Sequence, residues 1–174
     1  MIFPPDFLRI FDSFTHPREC GAQAVRLGTC KVTSLVGDRG GRTIHGIAET
    51  FHPEAFADGK IPTVEDAKQI LYQSYWTTCH CQAFVWPLNA VIFDFAMNHG
   101  EDDPAYTLQV LSGHAVESDG DIGPKTVGWV HEWMARSAAL NLLEQREILG
   151  VRTRWKAGLL ARCAALRQLV LTPK

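Results

Sequence analysis

Residues Gly37–Glu49 read GDRGGRTIHGIAE. An arginine stands on either side of a Gly-Gly pair, between Asp38 and Thr43. Glycine at adjacent positions permits a tight turn that side chains would obstruct. The residues before it, Cys30–Val36, are β-branched in part and alternate loosely, which suits a short strand. The residues after it, RTIHGI, suit a second one. Together they predict a β-hairpin over about residues 30–47 with its turn at Asp38-Arg-Gly-Gly. The rest of the chain reads as helix, so this stretch decides between an all-helical fold and a mainly α fold with one small hairpin near its N-terminus.

Asp6–Phe14 carries Phe7, Ile10, Phe11 and Phe14 at helical spacing after a Pro-Pro pair. Pro17 is expected to end or kink that helix. GAQAVRL, which follows, is ambiguous. Thr63 is an N-cap for TVEDAKQILYQSYW, with acidic residues in the first turn and a stripe of Ala67, Ile70, Leu71 and Tyr75. Pro87 opens an almost wholly apolar helix, PLNAVIFDFAMNHG, closed by Gly100. Such a helix belongs in the centre of a core. PAYTLQVLSG, a helix after Pro124, and helices near Ser137–Leu149 and Thr153–Leu171 complete the pattern. There are no repeats and no linker.

The chain has 174 residues, 46% of them hydrophobic and 21% charged, with a net charge of -2. That length suits one domain with a sizeable core. The charge argues against nucleic acid as a partner. No apolar run is long enough to span a bilayer, so no membrane role is expected. MIFPPDFLRIFDSF contains Asp6 and Asp12 and no basic n-region, unlike a signal peptide. The expectation is a cytoplasmic product that acts in the periplasm or on the cell wall after release or dedicated secretion.

The five cysteines, Cys20, Cys30, Cys79, Cys81 and Cys163, read as reduced thiols. Cys79-His-Cys81 looks metal-like, but one intervening residue is too few for zinc-finger spacing. No metal ligand set is assigned. Walker, dinucleotide and zinc-hydrolase motifs are absent, and no cofactor is expected.

In FDFAMNHG, Asp94 and Asn98 share a helix face. Asp94 reads either as a satisfied core carboxylate or as part of a cleft wall where Asn98 meets substrate. His99, at the helix end, suits an imidazolium favoured by the helix dipole. Tyr75 and Trp76 read as core before sugar platform. Trp129 and Trp133, four apart, read as a packing pair.

The order of DRGGRTIHGI, AKQILYQSYW, NAVIFDFAMNHG, LQVLSG, DGDIGPKT and RTRWKAGLLAR resembles glycoside hydrolase family 108, from about Asp38 onward. The resemblance implies a lysozyme-like α+β fold: residues 1–100 as a catalytic lobe with the hairpin, and residues 101–174 as a helical, peptidoglycan-binding-like part of one domain. It implies an N-acetylmuramidase that cuts the β-1,4 bond between N-acetylmuramic acid and N-acetylglucosamine. The family's catalytic glutamate lies in Glu-Gly-Gly-Tyr, nine residues before the aspartate of the glycine turn. Here that position is Thr29, in TCKVTS. Two placements fit. Either Glu19 in PRECGAQ is the acid and extra residues precede the hairpin, or Thr29 holds the acid's position and the muramidase centre is lost. Glu49 is a third carboxylate, but the family has no acid after the hairpin.

On the first placement Glu19 is the acid, Asp38 a base or electrostatic stabiliser, and Thr43 positions water, while Tyr75, Asn98 and His45 contact substrate. The glycine turn would let backbone approach sugar rings. Retaining and inverting outcomes both remain open. The alternatives are a cell-wall binding module without chemistry, and a hydrolase of peptide cross-links using Cys30 and His45. The partner implied is bacterial peptidoglycan. A phage endolysin and a secreted antibacterial effector both suit the pattern, the latter with secretion machinery and an immunity protein as further partners.

Overall fold

In the computed structural model, which describes residues 1–34, 40–112, 116–130, 135–151 and 156–172, helix α1 (Pro5–Ile10) begins at the Pro-Pro pair. Pro4 is extended and Pro5 occupies the first turn, where no N–H is needed. Of the two outcomes expected at Pro17, an end or a kink, the run does not end there. A π-turn over Phe11–Thr15 leads directly into α2 (His16–Cys20). An α-helix would need the Pro17 N–H to reach the carbonyl of residue 13. The widened turn lies over that carbonyl. Gly21, at φ +82°, stops the run. The ambiguous GAQAVRL forms α3 (Ala22–Leu27), closed by Gly28 in the left-handed region.

The chain divides into two compact units, Met1–Ser74 and Tyr75–Lys174. In the first, Phe7, Ile10, Phe11 and Phe14 form the helix side of the core, with Ile44, Ile47 and Phe56 also buried. The hairpin differs from its expected form. Strand β1 (Thr43–Ile44) pairs antiparallel with β2 (Ile47–Ala48). Its turn is His45-Gly46, both at positive φ, +54° and +85°. Two left-handed residues in a two-residue loop are the pattern of a type I′ turn, which matches strand twist. Of the expected strand Cys30–Val36, Thr33 contributes a single bridge to Thr43, with N···O distances of 2.8 Å each way. Residues 35–39 lie outside the described residues.

Gly41 explains part of the glycine turn. Its φ is +70°, and a Cβ there would stand 3.3 Å from Thr50 Oγ1. The missing side chain therefore makes room for the chain's own Thr50. Helix α4 (Val64–Leu71) starts in a reciprocal capping box between Thr63 and Asp66, as the sequence suggests, and runs into a π-turn over Tyr72–Thr77.

In the second unit, α5 (Leu88–His99) has an unbroken buried run from Leu88 to Ala96. Gly100 at φ +95° ends it. Helix α6 (Asp102–Leu111) starts two residues earlier than Pro104 suggests. Helix α7 (Pro124–Trp129) follows the Asp/Gly loop, then α8 (Ala135–Val151) and α9 (Lys156–Leu171). Helix α8 packs on both α5 and α9. The expected Trp133 packing partner, and Arg152, Arg154 and Trp155, lie outside the described residues. Among the described residues no helix is long and apolar enough to cross a membrane.

Candidate active site

Glu19 sits half-buried in the last turn of α2, inside the first helical run rather than beyond it. It lines a groove of about 530 Å³ together with Gln23, Thr29, Lys31 and Thr33. The two residues that compete for the family's acid position, Glu19 and Thr29, thus face one space. The ten-residue difference between them is the α3 excursion. Helix α2 stops at Gly21, α3 runs to Leu27, and the chain comes back to the groove at Thr29.

Thr43 lies in β1, with its backbone bonded to Thr33 on the groove wall. Asp38, the proposed second carboxylate, falls outside the described residues. Glu49 has a different role from an acid. Arg42 donates from Nε to Oε2 at 2.8 Å and from Nη2 to Oε1 at 2.6 Å. The bonds from Arg42 hold the Glu49 carboxyl below its ordinary range, so it stays ionised and has no proton to give.

His45 is buried at the hairpin turn among three other polar side chains. Its Nδ1 lies 2.9 Å from His16 Nε2 and 3.2 Å from Cys20 Sγ. Cys30 Sγ lies 3.8 Å from His16 Nε2. Burial pushes both imidazoles down, with His16 adding to the effect on His45. Burial and the neighbouring Cys30 push the Cys20 thiol up to about 12. A thiol so far from ionisation is a poor nucleophile. The Cys30–His45 pair considered for peptide cleavage is part of a four-residue cluster, not an isolated dyad.

Tyr75 and Asn98 belong to the second unit. Tyr75 is half-buried, and burial, aided by Glu101, raises its phenol pKa. Asn98 is exposed, and its Nδ2 donates to the Asp94 carbonyl at 2.8 Å. Trp76 is buried against Phe93. Asp94 is fully buried, with Arg162 donating from Nε at 3.0 Å and Nη2 at 2.7 Å to Oδ1, and Arg146 donating to Oδ2. It is a core carboxylate, paired by side chains that sequence reading did not connect to it. The imidazolium expected at His99 is disfavoured: burial, then Arg146, lowers its pKa. Cys79 and Cys81 are buried thiols, both raised by burial, on either side of an exposed His80.

The Asp/Gly loop is anchored from within. Gln109 Nε2 donates to Asp119 Oδ1 at 2.7 Å and to the Asp121 carbonyl at 2.8 Å, while its Oε1 accepts from Gly120 N–H at 3.0 Å.

Residues 31–100 match the family glycosyl hydrolase 108. The matched segment holds Asp38, Thr43, His45, Tyr75 and Asn98. It begins after Glu19 and Thr29 and ends before DGDIGPKT. No curated protein matches the chain. Among solved structures, the chain is similar to the structure of Brucella abortus SagA, with a TM-score of 0.66 and 23% identity over 86% of this chain and 92% of that one. At that identity the likeness speaks to fold: mainly α, lysozyme-like, with a small antiparallel sheet. The family match speaks to reaction class, a glycoside hydrolase.

Proposed function

We propose that this protein is an N-acetylmuramidase that hydrolyses the β-1,4 bond between N-acetylmuramic acid and N-acetylglucosamine in bacterial peptidoglycan. The observation that carries this reading is Glu19, a half-buried carboxylate on the wall of a groove at the end of the N-terminal helical run. Glycoside hydrolysis needs a proton delivered to the leaving oxygen as the bond breaks. A carboxyl group on the wall of a groove is placed to meet a glycan held there. Glu19 is the general acid. Asp38 is the base or electrostatic stabiliser, and Thr43 orients water. Both Asp38 and Thr43 fall within residues 31–100, the span of the family match.

The experiment is digestion of purified peptidoglycan by wild type, Glu19→Gln and Asp38→Asn, with products resolved by mass spectrometry. Muropeptides ending in reducing muramic acid, lost in Glu19→Gln, are the expected result. Intact glycan with the protein still bound would replace the enzyme with a binding module. Severed peptide stems on intact glycan would replace the bond.

A further inference from the structure

We propose that His16, Cys20, Cys30 and His45 form a tetrahedral zinc site that fastens the hairpin turn to the N-terminal helical run. One ligand atom from each residue lies within 4.8 Å of all the others, and among the described residues no other group of this kind gathers. Zinc bonds of about 2.0–2.1 Å to nitrogen and 2.3 Å to sulfur imply tetrahedral edges of about 3.3–3.8 Å. The observed separations of 2.9, 3.2 and 3.8 Å, with an outer bound of 4.8 Å, bracket those edges. Small adjustments of four side chains would open the centre.

The donor set selects the ion. Two thiolates with two imidazoles suit zinc in a closed, four-coordinate structural site. The thiols would each lose a proton to solvent as zinc binds, two protons per ion. The His45 backbone N–H also bonds to Cys20 sulfur.

Local structure aims each ligand. The π-turn brings residue 16 over residue 11, and the Phe11 ring stacks on the His16 imidazole at 5.4 Å and 16°. His16 and Cys20 are then one helical turn apart on the same face. His45 is held at a positive φ that a non-glycine residue rarely adopts, and the turn directs its ring at the other three. Cys30 closes the set from the segment after α3. The first unit covers only residues 1–74. Units of this size commonly rely on a metal or disulfide to supplement a small core.

The proposed acid, Glu19, is the chain neighbour of Cys20 and lines the same groove, but zinc content and glycan cleavage are read separately, so the two readings fail separately. The full chain is produced in zinc-supplemented medium, purified without chelator, and assayed by plasma mass spectrometry, with zinc-edge X-ray absorption on the wild type. One zinc per chain with two sulfur and two imidazole neighbours is expected. Cobalt substitution should give the visible absorption of a tetrahedral thiolate site. Glu19→Gln should keep its zinc. Cys20→Ser/Cys30→Ser should lose it. Should that double variant fail to fold, the wild-type absorption spectrum still decides. Metal-free wild type, a first shell without two sulfurs, a Cys20–Cys30 disulfide in freshly isolated protein, or zinc retained by a folded double variant would each overturn the site.

Discussion

Arg42 grips Glu49 with two parallel hydrogen bonds, and the same two residues are joined by a backbone bond from Glu49 N–H to the Arg42 carbonyl at 2.8 Å. The ion pair therefore extends the hairpin ladder beyond β1 and β2. Both side chains are partly exposed. Water and salt weaken such a pair, so it sets local geometry more than stability.

Because Glu49 is held ionised, it cannot serve as the proton donor. Glu49→Gln should retain most of its peptidoglycan-solubilising activity, whereas Glu19→Gln should lose it. Turbidity clearing of purified sacculi by the two variants makes the comparison. Equal loss in both would move the acid to the hairpin.

Asp94 is the most consequential buried charge in the second unit. Asp94→Asn leaves two buried guanidiniums without their anion, which should destabilise the unit by about 3–5 kcal/mol. Urea unfolding followed by tryptophan fluorescence reads this directly. A midpoint equal to wild type would mean that the arginines find other partners.

The same carboxylate predicts an acid limb. Burial alone would raise its pKa, but Arg162 and then Arg146 outweigh it and hold it at about 2, against 3.8 for a free side chain. The folded value is depressed, so the stabilisation is fully present above about pH 4 and disappears as pH falls towards 2. Wild-type unfolding midpoints measured across that window should fall steeply. Asp94→Asn should flatten the slope.

Gln109 satisfies one N–H and one carbonyl of the Asp/Gly loop at once. Gln109→Ala should cost about 1–3 kcal/mol, since two partly buried backbone groups lose their partner. Hydrogen exchange at the Gly120 amide should accelerate before global unfolding. Unchanged protection would show that water replaces the side chain.

Gly41→Ala tests the glycine turn. Its left-handed φ alone costs an alanine about 1–2 kcal/mol, and the new Cβ would crowd Thr50. A thermal melt that matches wild type would show that the turn relaxes freely.

Local signals were legible in the sequence wherever the physics is local. Thr63 with Asp66 marked a helix start, and Pro87 with Gly100 bounded the buried helix, because caps act within one turn. Glu19 was expected just past the first helix, and lies inside it because the run continues through Pro17. The π-turn was not legible, since it arises from fitting Pro17 into a continuing helix. The hairpin turn was misplaced because His-Gly is not among the usual Asn-Gly or Asp-Gly signals. The His16, Cys20, Cys30, His45 cluster has no metal-finger spacing. It appears only when a helix face, a return segment and a turn converge. The partners of Asp94 were hidden by sheer separation along the chain.

That separation has a consequence for how the protein is made. Arg146 follows Asp94 by 52 residues and Arg162 by 68. During translation, α5 leaves the ribosome with an apolar surface on every side and a carboxylate that nothing yet neutralises. It cannot settle in its final place until α8 and then α9 have been made. The second unit is thus obliged to consolidate late, after most of its length has been synthesised. In that interval the apolar surface of α5 is open to other chains, and the stability of the finished fold offers no protection.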